Sequence, residues 1–354
     1  MNTIIGRYIA KTVILATLLV ILVVTGLTYL IDLLGELKDI GSGDYGVLQA
    51  VIHSSLILPN HIYVFFPMLV LLGGLTGLGS LAAYQELVVM RASGMSAGDI
   101  ARAVLGAALI LIVLGLLVGE VIAPRLYFLA NKHKSAALSG GQAVATTTGL
   151  WIHEGNNFLH IENVMAHNHL EGVTRYEFDT QHQLLASYYV AAMDYHNKKW
   201  WLHNTVKTTF SNDHTSNQKI AESNWDLTLN PKLLNVGLLM PDEIPLTDLS
   251  GYIHHLTDNK LQSIDFEFSF WKRMFAPLTT LVMLLLAIPF IFAAPRSISG
   301  GWRILLGVIV GFVFYILDTL LAQLSIVFQL SPFFAALLPI ILFALVGYGL
   351  MLRY

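Results

Sequence analysis

Six apolar runs, at residues 12–33, 52–81, 100–123, 272–294, 303–325 and 333–352, stand three and three around one polar insert. Each reaches the ~20 residues an α-helix needs to cross a hydrocarbon core, so the layout restricts the chain to a membrane fold. A composition that is 55% hydrophobic and 12% charged excludes an ordinary soluble enzyme. The net charge of −3 offers no general basic field for nucleic acid. Cysteine is absent, which removes disulfides, thiolate metal sites and a Cys nucleophile. The expected fold class is membrane α-helical, six transmembrane helices in a three-plus-three arrangement, with an inserted all-β, jellyroll-like domain. The expected boundaries are 1–130 for the first membrane half, 131–268 for the insert and 269–354 for the second half.

Charge sets the topology. Arg7 and Lys11 precede the first run, and no small-residue cleavage site follows it, so the run reads as a retained anchor with a cytoplasmic N-terminus. An even number of spans returns the C-terminus to the same side. Arg91, Arg102, Arg296, Arg303 and Arg353 then fall inside, as the positive-inside rule expects, and the insert falls outside. A second set of bases runs against the rule. Arg125, Lys132, Lys134, Lys272 and Arg273 gather at the outer ends of the third and fourth spans, and Lys38 follows the first. They either flank helices and snorkel, or meet an anionic lipid head group.

The second span carries Pro59 and Pro67 and a small-residue face of Gly73, Gly74, Gly77 and Gly79, which reads as close helix packing. After it, Tyr84–Ser96 is too polar to cross and too apolar to be a linker; the pattern predicts a short helix across the membrane face within 84–98. The insert reads as β. Leu150–His153 and Phe158–Ile161 flank the turn Glu154–Asn157, and Thr174–Phe178, Leu184–Tyr195 and Trp200–Phe210 follow. Pro231, Pro241 and Pro245, with Asp242 and Glu243, mark a loop, and Thr247–Lys260 a short helix leading back.

Chemical motifs are mostly missing. No phosphate-binding Gly-x-x-x-x-Gly-Lys-Ser/Thr, nucleophile elbow or His-Glu-x-x-His zinc motif occurs. His167 with His169 and His254 with His255 are the closest approach to a metal set, and surface histidines are the default; the expectation is no metal. Asp32, Glu120 and Asp318 lie at or within spans, where an ionisable residue is a functional candidate. Asp32 and Glu120 stand near helix ends, where hydration accounts for them. Asp318 lies deeper and either pairs with a base on a neighbouring helix or lines a polar cavity.

Glu86-Leu87-Val88-Val89-Met90-Arg91-Ala92-Ser93-Gly94 resembles the segment after the second span in the LptF/LptG permeases of lipopolysaccharide export. Phe65–Met68, Gly149–Trp151 with Glu154–Phe158, and Phe312–Asp318 also match, in order and across essentially the whole chain. The motifs are closer in form to the LptG members than to the LptF members.

The resemblance implies a permease subunit of an ABC transporter in the bacterial inner membrane, with the β domain periplasmic. It implies an LptF-like permease as partner, two LptB-like ATPase subunits and an LptC-like single-span protein. It also implies no cofactor on this chain, with ATP and Mg used by the ATPase, and no enzymatic activity of its own. Lipopolysaccharide would be extracted from the membrane and passed to a periplasmic bridge toward the outer membrane.

Residue by residue, Glu86, Leu87, Val89, Met90, Arg91, Ala92, Ser93 and Gly94 match the family's ATPase-coupling helix. Lys38, Arg125, Lys132, Lys134, Lys272 and Arg273 would meet lipid phosphates. Phe65, Phe66, Phe312 and Tyr315 would wall the acyl-chain cavity. Tyr29 and Asn131 stand where the family can carry bases, so the grip on phosphate is expected to be distributed differently here. Two rival readings are a proton-coupled secondary transporter using Asp318 and Glu120, and a membrane-tethered scaffold.

Overall fold

A computed structural model describes residues 4–138, 144–154, 156–165, 169–179, 181, 183–196, 199–210, 215–225, 241, 244–258, 261–293 and 300–352. Arg296, Arg353, His167, Gly155, Pro231, Asp242, Glu243 and Lys260 lie outside them. The chain divides into two compact units. One comprises Met1–Gly35, Ser54–Tyr127 and Ile264–Tyr354; the other comprises Glu36–His53 and Phe128–Ser263. The second unit therefore takes in residues 36–53, which the sequence reading assigned to the first membrane half.

The helices are α1 (Ile4–Glu36), α2 (Val47–Ala83), α3 (Glu86–Ala92), α4 (Ala97–Leu116), α5 (Ala123–Leu138), α6 (Leu246–Asp258), α7 (Ile264–Ala293), α8 (Gly300–Phe328) and α9 (Pro332–Met351). A π-helical turn, Leu117–Ile122, joins α4 to α5 without a break. Among the described residues six stretches of helix, built on α1, α2, α4–α5, α7, α8 and α9, are long and apolar enough to cross a membrane. The protein is a multi-pass membrane protein. The helices overrun the apolar runs at several ends because helical hydrogen bonding does not stop where the hydrocarbon does, and polar flanks remain helical.

Small residues seat the first unit's helices. A Cβ on Gly73 would collide with Thr17 of α1, and one on Gly77 would lie 3.0 Å from the Val13 Cα. On the neighbouring face of α2, a Cβ on Gly74 would come within 2.7 Å of Leu284 of α7. The glycines of α2 thus let two helices approach its backbone at once, the packing role read from the sequence. Around them Ile9, Val13, Val70, Leu71, Leu111, Met283 and Leu284 form one buried cluster.

Among its described residues the insert holds six antiparallel strands, β1 (Val144–Glu154), β2 (Asn157–Met165), β3 (His169–Phe178), β4 (Leu184–His196), β5 (Lys199–Phe210) and β6 (Thr215–Trp225). Each pairs with its neighbour in sequence, giving the order β1-β2-β3-β4-β5-β6. The all-β insert is as expected from its aromatic and β-branched runs. β6 escaped the sequence reading, because Thr-Ser-Asn-Gln-Lys-Ile-Ala-Glu-Ser-Asn carries no alternation of apolar and polar residues.

The sheet is creased. A strand that keeps one face to a core buries residues two apart. Here Leu170 and Val173, Val190 and Met193, and Leu202 and Thr205 are all buried, each pair three apart. Between them lie Gly172, at φ 65°, and Asn204, at φ 54°. Left-handed residues of this kind turn the strand. Both halves of β3 and β4 face a single cluster of Leu159, Ile161, Leu170, Val173, Val190 and Met193, to which the first part of β5 adds Trp200 and Leu202.

Candidate functional site

α3 is a short helix fixed at both ends. Gln85, in the left-handed region at φ 63°, makes the corner from α2. At the other end Gly94 takes φ 96°, the Met95 N–H donates to the Met90 carbonyl (3.1 Å), and the Gly94 N–H donates to that of Arg91 (3.0 Å). This is a complete glycine stop. Ser96 then starts α4 at once: its hydroxyl accepts from the Asp99 N–H, and the Asp99 carboxylate accepts from the Ser96 N–H (2.9 Å). Gly94 is therefore required by backbone conformation rather than by close approach, since open space surrounds the position of its missing Cβ.

The two faces of α3 differ. Leu87 is 3% exposed, and Met90, one turn on, packs with Met95 against the buried cluster. Val88 and Val89 are 52% and 67% exposed, and Ala92, Ser93 and Gly94 share the outward side. Glu86 lies beside the Tyr8 hydroxyl of α1. This corrects one sequence expectation. Leu87 holds α3 to its own bundle, while Val88, absent from the expected contact set, stands outward with Val89 and Ala92. Arg91 is exposed at the C-terminal end, where its charge complements the helix dipole.

Asp32, Glu120 and Asp318, the acidic residues singled out in the spans, each lie within 3.1 Å of a basic side chain. In the first unit Asp32 of α1 lies 2.9 Å from His61 of α2. Glu120 sits in the π-helical turn, where it accepts from Arg273 of α7 through both oxygens (3.1 and 3.0 Å) and from the Tyr63 hydroxyl (3.3 Å). Asp318 of α8 is 2.8 Å from Lys272. Helix-end hydration, the sequence account of Asp32 and Glu120, gives way to specific partners. Lys272 and Arg273 are neighbours in sequence and reach different helices. Their exposure differs as well: the Arg273 side chain is 3% exposed and that of Lys272 38%. Arg273 is an internal tie and is not presented as a lipid contact.

Lys134, in the second unit, is also engaged. Its ammonium donates to Glu36 (2.7 Å) and Asp39 (2.8 Å) and stands over the Tyr45 ring, 5.7 Å from its centroid. The Tyr45 hydroxyl donates to Glu36 (2.6 Å). Burial and the Glu36 carboxylate push that hydroxyl's pKa well above the usual tyrosine range. An open cleft of about 320 Å³ adjoins this cluster, lined among others by Asp44, Tyr45, Gln49, His133 and Lys134. Lys38 and Lys132 are exposed, as is Arg125 of the first unit. Sequence reasoning missed Glu36, Asp39, His61 and Tyr63. The one available signal was that bases near helix ends require counter-charges.

The aromatic residues divide too. The Phe65 ring lies 5.8 Å from that of Tyr315, which is 40% exposed, and Phe312 is 56% exposed on the same helix. Phe66 is 5% exposed and fills the space left by Gly115 of α4. It is packing rather than an open cavity wall. Outside the spans, Asp194 of β4 is shared by His169 (2.7 Å) and His203 (3.1 Å), and His254 lies 3.4 Å from Asp258. Partial burial opposes ionisation of Asp194, but its histidine partners prevail and hold the carboxyl below the usual range.

Among the described residues the arrangement includes no cluster of His, Asp and Glu that could hold a metal ion. It offers paired charges inside a helical bundle, exposed cations near helix ends and an outward apolar step on α3. A family profile described as lipopolysaccharide export system permease LptF/LptG matches residues 7–353. A protein of Escherichia coli named lipopolysaccharide export system permease protein LptG is 34% identical over 99% of this chain and 98% of its own length. A Haemophilus influenzae protein of the same name is 34% identical over 98% of each chain. With both membrane halves and the β insert inside one continuous match, the chain belongs to the lipopolysaccharide export system permease LptF/LptG family.

Proposed function

We propose that this chain is the LptG-type permease subunit of an inner-membrane ABC transporter that extracts lipopolysaccharide and hands it to a periplasmic bridge. The continuous family match over residues 7–353 carries the reading. Extraction is a problem of buried chain length, since each CH₂ moved out of hydrocarbon costs about 0.8 kcal/mol. An apolar cavity must replace those contacts, and the exposed Phe312 and Tyr315 of α8 are suited to that wall. Lys38, Arg125, Lys132 and Lys272 are the bases assigned here to meet phosphate, because their side chains reach solvent. The partners are an LptF-like permease, two LptB-like ATPase subunits using ATP and Mg, and an LptC-like protein. Both termini are cytoplasmic and the β domain is periplasmic. The outward face of α3 seats in the ATPase, with Val88, Val89 and Ala92 in contact and Leu87 and Met90 anchoring from behind.

Mild-detergent purification from native membranes, with mass spectrometry, tests this. We expect a soluble ATPase and a second six-span permease to copurify. Val89→Asp should strip the ATPase and leave the melting temperature unchanged. Recovery of the chain alone, under conditions that preserve other membrane complexes, would overturn the assignment.

A further inference from the structure

We infer that Asp318 is a specificity-determining residue that holds Lys272 neutralised until a phosphate-dense head group displaces it. This rests on the lipopolysaccharide-permease reading above. The two partners are unequally buried: the Lys272 side chain is 38% exposed and that of Asp318 10%. An anion approaching from outside can reach the ammonium, whereas the carboxylate stays inside. The neighbouring pair is built the other way round, with Arg273 at 3% and Glu120 at 21%, and no such exchange is open to it. The helix that carries Asp318 is lightly seated. Among its described residues the other buried positions are the small Gly307, Gly311 and Ser325, so the ion pair to α7 is a main polar attachment of α8.

Displacement leaves Asp318 without its cation in a place of low dielectric, which is costly. A single phosphodiester restores only the charge that was lost. A head group bearing two phosphate monoesters returns more, by carrying higher charge and by engaging further exposed bases. The pair therefore rejects ordinary anionic phospholipid and admits diphosphorylated lipid. Because α8 is attached through the same pair, entry of the lipid and loosening of the helix are one event.

The experiment uses the full chain with its copurifying partners in detergent. It measures competition of diphosphoryl lipid A and of phosphatidylglycerol against a fluorescent lipid A. Wild type should favour diphosphoryl lipid A. Asp318→Asn should tighten phosphatidylglycerol about tenfold and shrink that preference, and the gain should vanish in Lys272→Gln/Asp318→Asn. No preference in wild type would overturn the underlying reading. A wild-type preference left unchanged by Asp318→Asn, or a gain that persists without Lys272, would overturn the latch and leave that reading standing. If Asp318→Asn does not assemble, Lys272→Gln decides: weaker lipid A binding supports the latch, and unaltered binding overturns it.

Discussion

α2 and α7 bury 61% and 50% of their spanning windows, whereas α1 and α8 bury 6% and 17%. All four hold a long apolar segment, so apolarity does not separate them. In water an apolar helix is driven inward. In lipid the tails are as apolar as leucine, and burial must come from close packing and polar contacts. α2 has both, in Gly73, Gly74 and Gly77 and in His61 and Tyr63. α7 has Lys272 and Arg273. The C-terminal half of α1 has neither in quantity, and Leu22, Leu27, Ile31 and Leu34 are all more than half exposed.

The largest test of this contrast is on α7. Arg273→Met takes from the partly buried Glu120 the guanidinium that meets both its oxygens and should lower stability by about 3 kcal/mol, read as a thermal melt in detergent. Adding Glu120→Leu should recover most of the loss. Next comes α2 against α1. Gly73→Leu forces a side chain into Thr17 and should cost about 2 kcal/mol. Gly26→Leu, where nothing lies within 4 Å, should stay within about 0.5 kcal/mol. Equal losses at the two glycines would erase the distinction between seated and lipid-facing helices.

The sheet supplies the smallest effect, away from the spans. The Asp194 carboxyl lies below its usual range when folded, so its stabilisation is present above the unfolded carboxylate pKa and is lost as pH falls through the folded one. Asp194→Asn should therefore cost about 1 kcal/mol at neutral pH and nothing once the medium is acid enough to protonate the wild-type group.

The spans were legible because a run of twenty apolar residues has few other uses. α3 was legible through Glu86 at its start and Gly94 at its stop. The ion pairs were not, because Arg273 and Glu120 are 153 residues apart and no local pattern joins them. The same holds for Lys134 and Glu36, 98 apart. The inward turn of Leu87 could have been read from its three-residue spacing to Met90, but the resemblance drew both toward a partner. The crease in β3–β5 was hidden because it depends on Gly172 and Asn204 adopting left-handed conformations, which these residue types permit but do not demand.

The pairing of Glu120 with Arg273 and of Asp318 with Lys272 has an electrical consequence. Moving one net charge across a membrane carrying 100 mV involves about 2.3 kcal/mol. A pair that travels together carries no net charge, so the membrane voltage performs almost no work on it. While these two pairs remain intact, they contribute no gating charge. Movements of α7 and α8 would then draw little drive from the voltage acting on these residues, and the force would have to be supplied by another route.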